Sequence, residues 1–177
     1  MIIREFQPVD FPSIAETYRQ GIATGLATFE TSVPSWDIWD RKYLKSCRLV
    51  AEENARVPAR TASAGEPNGQ GTVIGFAVVH PISKRECYSG VCEESIYIHE
   101  AWRGKGIGKK LLQALIDEGE RRGIWTLQAG IFAENTASIM LHQQCGFRII
   151  GHREKIAKLN GEWKDAVLME RRSKNIL

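Results

Sequence analysis

The chain has 177 residues, of which 43% are hydrophobic and 25% charged, and its formal net charge at pH 7 is +3. A chain of this length typically forms one domain and buries about 70% of its extended surface, which excludes a mini-protein held together by disulfides or metal. The small charge excess lacks the concentrated basic character of a dedicated nucleic-acid binder, and no segment approaches the ~18 consecutive apolar residues of a membrane span.

The first half of the chain is predicted to contain strands separated by two helices. Asp10 is expected to cap the first helix, because an apolar face with helical spacing follows at Ile14, Tyr18 and Ile22. The stretch from Glu53 to Gly71 is rich in glycine and proline and predicts a mobile hairpin loop. The other elements expected here are a strand at Ile2, Ile3 and Phe6, a helix from about Trp36 to Ser46, a strand from Arg48 to Ala51, and an almost wholly apolar strand from Thr72 to His80 that Pro81 ends.

The second half continues the alternation of strands and helices. Its longest helix carries leucines and isoleucines on one face, and Gly123 provides its stop signal. The alternating order of strands and helices along the chain indicates one α/β domain with a mixed sheet. In chain order, the expected elements are a strand from Glu93 to Ile98, the long helix from about Gly106 to Arg122, a strand from Trp125 to Ile131, a short helix capped by Asn135 and ended by Gly146, and strands from Phe147 to Gly151 and from Asp165 to Arg171.

The cysteine pattern and the N-terminus bear on the cellular compartment. The four cysteines form no Cys-x-x-Cys pair, so neither a disulfide framework nor a metal site is expected. The chain begins Met-Ile-Ile-Arg-Glu-Phe, without the apolar core of a signal peptide. We therefore expect reduced thiols in a cytoplasmic protein that neither enters a membrane nor binds nucleic acid.

A glycine-rich turn between a strand and the long helix is the most informative segment. Gly104, Gly106 and Gly108 allow a ligand to approach the backbone closely, and the N–H groups at the start of a helix favour phosphate. Cationic side chains in the same turn add positive charge; they are Arg103, Lys105, Lys109 and Lys110. The turn is predicted to bind a pyrophosphate.

Three phosphate-binding patterns compete for this turn. A P-loop fails because Arg103 and Lys110 occupy positions that require Gly and Ser or Thr, and a dinucleotide fingerprint fails because Lys109 stands where its last glycine is required. The pattern Arg/Gln-x-x-Gly-x-Gly/Ala, which binds the pyrophosphate of coenzyme A, is met by Arg103, Gly106 and Gly108. The alternative is a tight connection without a ligand.

The surrounding motifs make the sequence resemble the GNAT superfamily of N-acetyltransferases, and within it the phosphinothricin and methionine sulfoximine acetyltransferase family. The resemblance covers nearly the whole chain. It is carried by Ala27-Thr28-Phe29-Glu30-Thr31, Glu93-x-Ser95-Ile96-Tyr97-Ile98, Arg103-Gly104-Lys105-Gly106-Ile107-Gly108, Ala133-Glu134-Asn135-x-Ala137-Ser138-Ile139-x-Leu141-His142, Gly146-Phe147 and Gly161-x-Trp163-x-Asp165.

The resemblance implies a single acyl-CoA N-acetyltransferase domain over residues 1–177. Its mixed, mostly antiparallel sheet would be flanked by helices and split between the strands at Glu93 to Ile98 and Trp125 to Ile131, with acetyl-CoA in the split. Asn135 would then touch the pantetheine end, and the alternative is that it only caps the following helix. The implied cofactor-binding residues are Ile96, Tyr97, Ile98, Arg103, Gly104, Lys105, Gly106, Ile107, Gly108, Lys109, Asn135 and Ser138.

Acetyl transfer to an amine benefits from a general base, because an amine with a lysine-like pKa is neutral only to about one part in 10³ at pH 7. Glu93 matches the family's glutamate and is the expected base, unless it is a solvated strand end. Glu94 is expected to point to the opposite face of the strand. Tyr97 could protonate the departing thiolate or only pack, and His142 could transfer protons or be structural. Cys92 leaves open a ping-pong reaction through an acetylated enzyme.

The acceptor is expected to be a small amino-acid-like amine. Phe29 and Glu30 match the segment that walls the family's amine pocket, and Glu93, at the start of its strand, is expected to contact the substrate as well. Lys84 and Arg85 would supply charge for a substrate carboxylate, although the segment differs from the family's Trp-Arg pattern. A polyamine acceptor and a CoA-sensing module without turnover are the alternatives. The resemblance also implies a homodimer.

Overall fold

The computed structural model describes residues 1–53 and 71–176. The predicted loop at Glu53 to Gly71 therefore lies outside the described residues, except at its two ends. The helices are α1 (Phe11–Ala23), α2 (Trp36–Lys42), α3 (Ile107–Arg121) and α4 (Thr136–Gln144). The strands are β1 (Ile2–Glu5), β2 (Leu49–Glu53), β3 (Thr72–Pro81), β4 (Val91–Ile98), β5 (Thr126–Phe132), β6 (Arg148–Leu159) and β7 (Glu162–Arg172).

The described strands form one seven-stranded sheet in the order β1-β2-β3-β4-β5-β7-β6. Its neighbouring strands run antiparallel, apart from the parallel pair β4 and β5 at the centre. The mixed, mostly antiparallel sheet confirms the predicted fold class. In the described ranges, no helix is long and apolar enough to cross a membrane.

The sheet opens between its two central strands. The ladder joins Val91–Glu93 of β4 to Thr126–Gln128 of β5 and stops there. Beyond it β4 runs on to Ile98 and β5 to Phe132, each still paired with its outer neighbour. The split predicted between these strands is therefore present, and it begins immediately after Glu93.

Apolar side chains cover the sheet on both faces, because successive residues of a strand point to opposite sides. Ile96 and Ile98 pack against one core cluster, which includes the leucines of α3, while Tyr97 packs against the other, which includes Ile14 and Trp39. Both faces of β3 are buried, which explains its almost wholly apolar sequence.

The second helix is shorter than predicted. It ends at Lys42, and Tyr43 is already extended. The guanidinium of Arg48 accounts for this end, because it donates to the backbone oxygens of Asp40, Tyr43 and Leu44. These hydrogen bonds satisfy backbone carbonyl groups that, in a longer helix, would accept hydrogen bonds from the N–H groups of the next turn.

The last two strands are longer than predicted and form a hairpin. The prediction ended β6 at Gly151, whereas the strand continues to Leu159 through a stretch that carries charged residues on both faces. Asn160 and Gly161 turn the chain with φ angles of 50° and 87°. An Asn-Gly pair is the strongest short-range hairpin signal, and the prediction made no use of it.

Two of the predicted helix caps have different outcomes. Asn135 caps α4 as predicted, since its side chain accepts a hydrogen bond from the Ser138 N–H. Asp10 precedes α1 but makes no side-chain cap bond. Its carboxylate is instead held by both terminal nitrogens of Arg4, at 2.8 Å each, which ties α1 to β1.

Candidate functional site

Two cavities meet at the split in the sheet. The larger, of about 700 Å³, lies beside the glycine-rich turn and the start of α3, and the smaller, of about 350 Å³, lies between β4 and the segment after α1. They are lined in common by Leu26, Ala27, Ile96, Tyr97, Asn135 and Ser138. We call this shared lining the junction, because a ligand that extends from one cavity to the other must pass it.

The larger cavity has the features of an anion site. The N–H groups of Ile107, Gly108 and Lys109 precede the first intrahelical bond of α3, which Lys110 N donates to Gly106 O, and they donate to no acceptor within residues 1–53 and 71–176. Gly106 has a φ of +76°, a conformation that side chains disfavour, and a Cβ placed there would meet no atom within 4 Å. Free N–H groups beside an open approach suit a phosphate ligand.

The backbone of β4 offers hydrogen bonds to the same cavity. His99 N donates to Ile74 O, and Ile82 N donates to Val91 O, so the odd-numbered residues of β4 bond to β3. Alternation then directs the backbone groups of Ile96 and Ile98 into the split. Arg103 Nε donates to the oxygen of Ile98 at 3.1 Å, which fixes the turn against the strand.

The residues predicted to bind the cofactor collect around this larger cavity. All of them line it except Lys105, whose ammonium lies 4.4 Å from the centre of the Trp102 ring. Asn135 uses both ends of its amide within the protein: Oδ1 accepts from Ser138 N, and Nδ2 donates to Leu26 O at 3.1 Å. The cavity and its donors fit a long ligand with a pyrophosphate at one end.

The smaller cavity brings together the three residues predicted to be catalytic. Glu93, Tyr97 and His142 all line it. Burial, followed by the negative charge of neighbouring Glu94, raises the pKa of Glu93, and the positive charges of Lys42 and Arg153 oppose the rise. A carboxylate with a raised pKa is a better proton acceptor near neutral pH.

Tyr97 lies at the junction with its ring fixed by other aromatic rings. It stacks on Phe76, and its edge meets Tyr18 at 4.8 Å between centroids. Its hydroxyl donates to Ala27 O at 3.4 Å. Burial raises the pKa of Tyr97 well above 10, so the phenol keeps its proton throughout the neutral range.

His142 is buried and engaged at both ring nitrogens. Nε2 lies 2.7 Å from Oε1 of Glu94, and Nδ1 lies 2.7 Å from Ser138 O. Burial works against a charged ring, but the attraction and hydrogen bond of Glu94 outweigh it, so the pKa of His142 is raised. Glu94 therefore faces α4, on the opposite side of β4 from Tyr97, as strand alternation predicts.

The predicted acceptor-binding residues divide into two groups. Phe29 and Glu30 line the smaller cavity, and the Phe29 ring meets Phe132 edge-on at 4.5 Å. Lys84 and Arg85 line neither cavity, and the Arg85 guanidinium lies over the ring of Tyr88 on the exposed side of the molecule.

Several residues that line the smaller cavity were not predicted. Lys42 at the end of α2 and Arg153 on β6 bring positive charge, and neither has an ion pair among the described residues. His80 pairs with Glu93 across the β3–β4 ladder. These residues are far apart in sequence, and no local motif marks them.

Comparisons with known proteins agree with this geometry. The family model described as acetyltransferase (GNAT) family matches residues 27–147. An L-methionine sulfoximine/L-methionine sulfone acetyltransferase of Pseudomonas paraeruginosa is 31% identical over 95% of this chain and 92% of its own, and an L-amino acid N-acyltransferase of Escherichia coli is 30% identical over 96% and 92%. The crystal structure of a GNAT superfamily phosphinothricin acetyltransferase from Sinorhizobium meliloti in complex with acetyl-CoA is similar with a TM-score of 0.80 and 28% identity, over 99% of this chain and 89% of that one.

The matched family region includes the split, the glycine-rich turn and every residue of the junction except Leu26. These two relatives, which the chain matches over more than nine-tenths of their length, are named an acetyltransferase and an N-acyltransferase. The chain therefore belongs to the GNAT acetyltransferase family and is an N-acetyltransferase.

Proposed function

We propose that this enzyme transfers the acetyl group of acetyl-CoA directly to the amine of a small amino-acid-like acceptor, of the phosphinothricin or methionine sulfoximine type, in a ternary complex. The meeting of the two cavities at the junction carries the proposal. The larger cavity fits the coenzyme, and the smaller contains a carboxylate of raised pKa beside two cationic side chains. The relatives named above support an amino-acid-like acceptor.

The residues of the larger cavity fit acetyl-CoA, which supplies the activated acetyl thioester. The N–H groups at the start of α3 and the cationic side chains of Arg103 and Lys109 would hold the pyrophosphate. The backbone groups of Ile96 and Ile98 would hydrogen-bond the pantetheine amides, as a neighbouring strand would. An N–H of the opened strand can also donate to the oxygen that becomes negative during transfer.

Glu93 would act as the general base. The acceptor ammonium must lose a proton before it can attack, and a carboxylate in the acceptor cavity takes that proton directly or through one water. Tyr97 lies at the junction with a protonated hydroxyl, and we assign that hydroxyl to the departing thiolate as its hydrogen-bond donor and proton source, in place of its long 3.4 Å bond to Ala27 O. His142 is engaged at both ring nitrogens and has no free nitrogen for either task.

We assign recognition of an acceptor carboxylate to Lys42 and Arg153, because both line the acceptor cavity, whereas Lys84 and Arg85 do not. Arg153→Gln is expected to raise KM for an amino acid acceptor about tenfold, which corresponds to ~1.4 kcal/mol and is typical of one hydrogen bond to a charged group. KM for acetyl-CoA should stay unchanged. Steady-state kinetics with the amino acid and its decarboxylated amine measure the effect.

The matched control is Arg148→Gln, on the same strand but outside both cavities and 73% exposed. It should leave both KM values unchanged. A rise in KM with Arg153→Gln that is equal for the acceptors with and without the carboxylate would contradict the assignment.

Direct transfer is supported by the surroundings of Cys92, the thiol that could carry an acetyl group. Its side chain is fully buried, and burial raises its pKa to about 11. Cys92→Ala is therefore expected to keep kcat within about threefold of the parent value. Initial velocities against both substrates should give intersecting lines, whereas parallel lines with an acetylated Cys92 in the mass spectrum would show a ping-pong reaction.

The proposed function is tested by thiol release from acetyl-CoA with a panel of amines. The panel contains phosphinothricin, methionine sulfoximine, methionine sulfone, the common amino acids, polyamines and a peptide. We expect turnover with the small amino-acid-like members and acetylation at the amine. Turnover confined to polyamines or to the peptide would overturn the acceptor class, and coenzyme binding without turnover on any amine would favour a sensing module.

We also propose a homodimer in the cytoplasm. Supporting it, the β6–β7 hairpin exposes apolar side chains that a second copy would cover, including Ile149, Ile156 and Trp163, which is 55% exposed. Light scattering should give a mass near twice the chain's 19.9 kDa. A concentration-independent mass of one chain would contradict the dimer.

A further inference from the structure

A buried hydrogen bond crosses the split at the point where it opens. Glu93 is the last β4 residue paired with β5, and Glu94 is the next residue. The Glu94 carboxylate meets the ring of His142, on α4, at 2.7 Å. The two residues are only 5% and 1% exposed, and both line the inner wall of the smaller cavity. It joins the β4 side of the split to the helix that follows β5.

The same bond is the first in a chain that ends at the junction. His142 Nδ1 donates to Ser138 O at 2.7 Å, and Ser138 N donates to the Asn135 side chain at 3.1 Å. Asn135 in turn donates to Leu26 O. Ser138, Asn135 and Leu26 line both cavities. The position of α4 relative to Glu94 therefore sets the walls of the junction.

The hydrogen-bond donors in this chain are fixed by elementary chemistry. A carbonyl oxygen only accepts, so Nδ1 of His142 carries a hydrogen. The contact between Nε2 and the Glu94 carboxyl group then requires one further proton between them. Both ring nitrogens are occupied, and the pair serves to hold the ring in place.

Stability alone does not explain why such a pair is buried. Buried ion pairs are often no more stable than apolar side chains of the same volume. Oε2 of Glu94 is also buried and has no hydrogen-bond partner within the described part of the chain. What the pair provides is directional geometry between β4 and α4, which apolar side chains would not give.

We propose that Glu94 is a positioning residue for acetyl transfer, which through His142 holds helix α4 against β4 and so fixes Asn135 and Ser138 at the junction. The inference rests on the proposed function, since it concerns the geometry of the same transfer. Glu93 and Glu94, adjacent in sequence, then have different tasks on opposite faces of one strand. Glu93 takes the acceptor's proton, and Glu94 sets the shape of the site.

The test compares Glu94→Ala, Glu94→Gln and His142→Ala with the parent enzyme. In Glu94→Gln the amide N–H can donate to Nε2 of a neutral His142, while Nδ1 still donates to Ser138 O, so the geometry survives without the charge. We expect Glu94→Ala and His142→Ala each to lower kcat by about 10- to 100-fold, because displacements near 1 Å cost rates of this order. Glu94→Gln should retain kcat and both KM values within about threefold.

The double variant Glu94→Ala/His142→Ala should lose no more than either single variant, because the two residues act as one unit. Thermal melting checks that each variant is folded. If the alanine variants unfold, Glu94→Gln still tests the inference, because a 10-fold loss of kcat in Glu94→Gln would overturn it. Full kcat and unchanged KM in a folded Glu94→Ala would also overturn it.

If the parent turns over no amine, the proposed function fails, and the affinity for acetyl-CoA, measured by calorimetry, then decides the inference. Glu94→Ala is expected to bind acetyl-CoA about 10-fold more weakly than the parent. Unchanged binding would contradict the inference.

Discussion

Glu93→Gln is expected to lower kcat by about 10²- to 10⁴-fold, the range that a general base contributes. The parent's kcat should rise with pH through the raised pKa of Glu93, because only the ionised carboxylate accepts a proton. The fall in kcat at low pH should be absent from Glu93→Gln, because the amide of the variant does not titrate. Steady-state rates over the neutral and mildly acidic range measure both effects, and acetyl-CoA affinity should be unchanged.

The matched control is Glu86→Gln, which removes an exposed carboxylate outside both cavities. It should behave as the parent at every pH. Glu93→Gln activity equal to the parent's across the whole pH range would eliminate Glu93 as the base.

The same substitution should stabilise the fold at pH 8. The folded-state pKa of Glu93 lies above its ordinary value of 4.5, so folding disfavours the ionised carboxylate. This cost is absent well below pH 4.5, grows as the pH rises, and is complete above the raised pKa. Glu93→Gln should therefore raise Tm clearly at pH 8 and much less at pH 4, as thermal melts can show.

Arg48→Met is expected to cost about 3–5 kcal/mol of the free energy of unfolding, as is typical when one partner of a buried ionic network is removed. The guanidinium is 5% exposed, is paired with the Asp40 carboxylate at 2.6 Å, and donates to backbone oxygens at the end of α2. The substitution would leave those acceptors unsatisfied. A fall in Tm of about 2–4 °C per kcal/mol should follow for a domain of this size.

Urea unfolding followed by tryptophan fluorescence measures this loss, with Arg148→Met as the control. Arg148 pairs with Glu170 on the surface and is 73% exposed, so its loss should cost less than about 1 kcal/mol. Equal free energies of unfolding for the two variants would contradict the structural role of Arg48. Lys42 is the last residue of α2, Tyr43 follows it, and both line the acceptor cavity, so KM for the acceptor should also rise in Arg48→Met.

Local signals predicted most of the fold. The apolar run of β3, the glycines around α3 and the Asn135 cap are decided by neighbouring residues, and the structure contains each of them. The end of α2 was wrong because it depends on Arg48, whose contacts lie outside the helical pattern. The end of β6 was wrong because charged residues occupy both faces beyond Gly151, which hides the alternation of a strand.

The candidate site was predictable where it follows a motif. The glycine-rich turn and the residues around Glu93 are continuous segments, so both could be recognised and both line the cavities. Lys42 and Arg153 come from elements more than 100 residues apart, and only the folded sheet brings them to one cavity. The alternation of side chains along β4 predicted that Glu93 and Glu94 point to opposite faces of the strand. Nothing in the local sequence indicated that His142 contacts Glu94.

The crystal structure of a complex with coenzyme A and an acceptor such as L-methionine sulfone tests the central claim most directly. The account predicts the pyrophosphate on the N–H groups at the start of α3, the pantetheine along Ile96 and Ile98, and the sulfur at the junction. The acceptor amine should lie within hydrogen-bond reach of Glu93, directly or through one water. A coenzyme bound outside the split, or an acceptor amine in a different cavity from Glu93, would contradict the account.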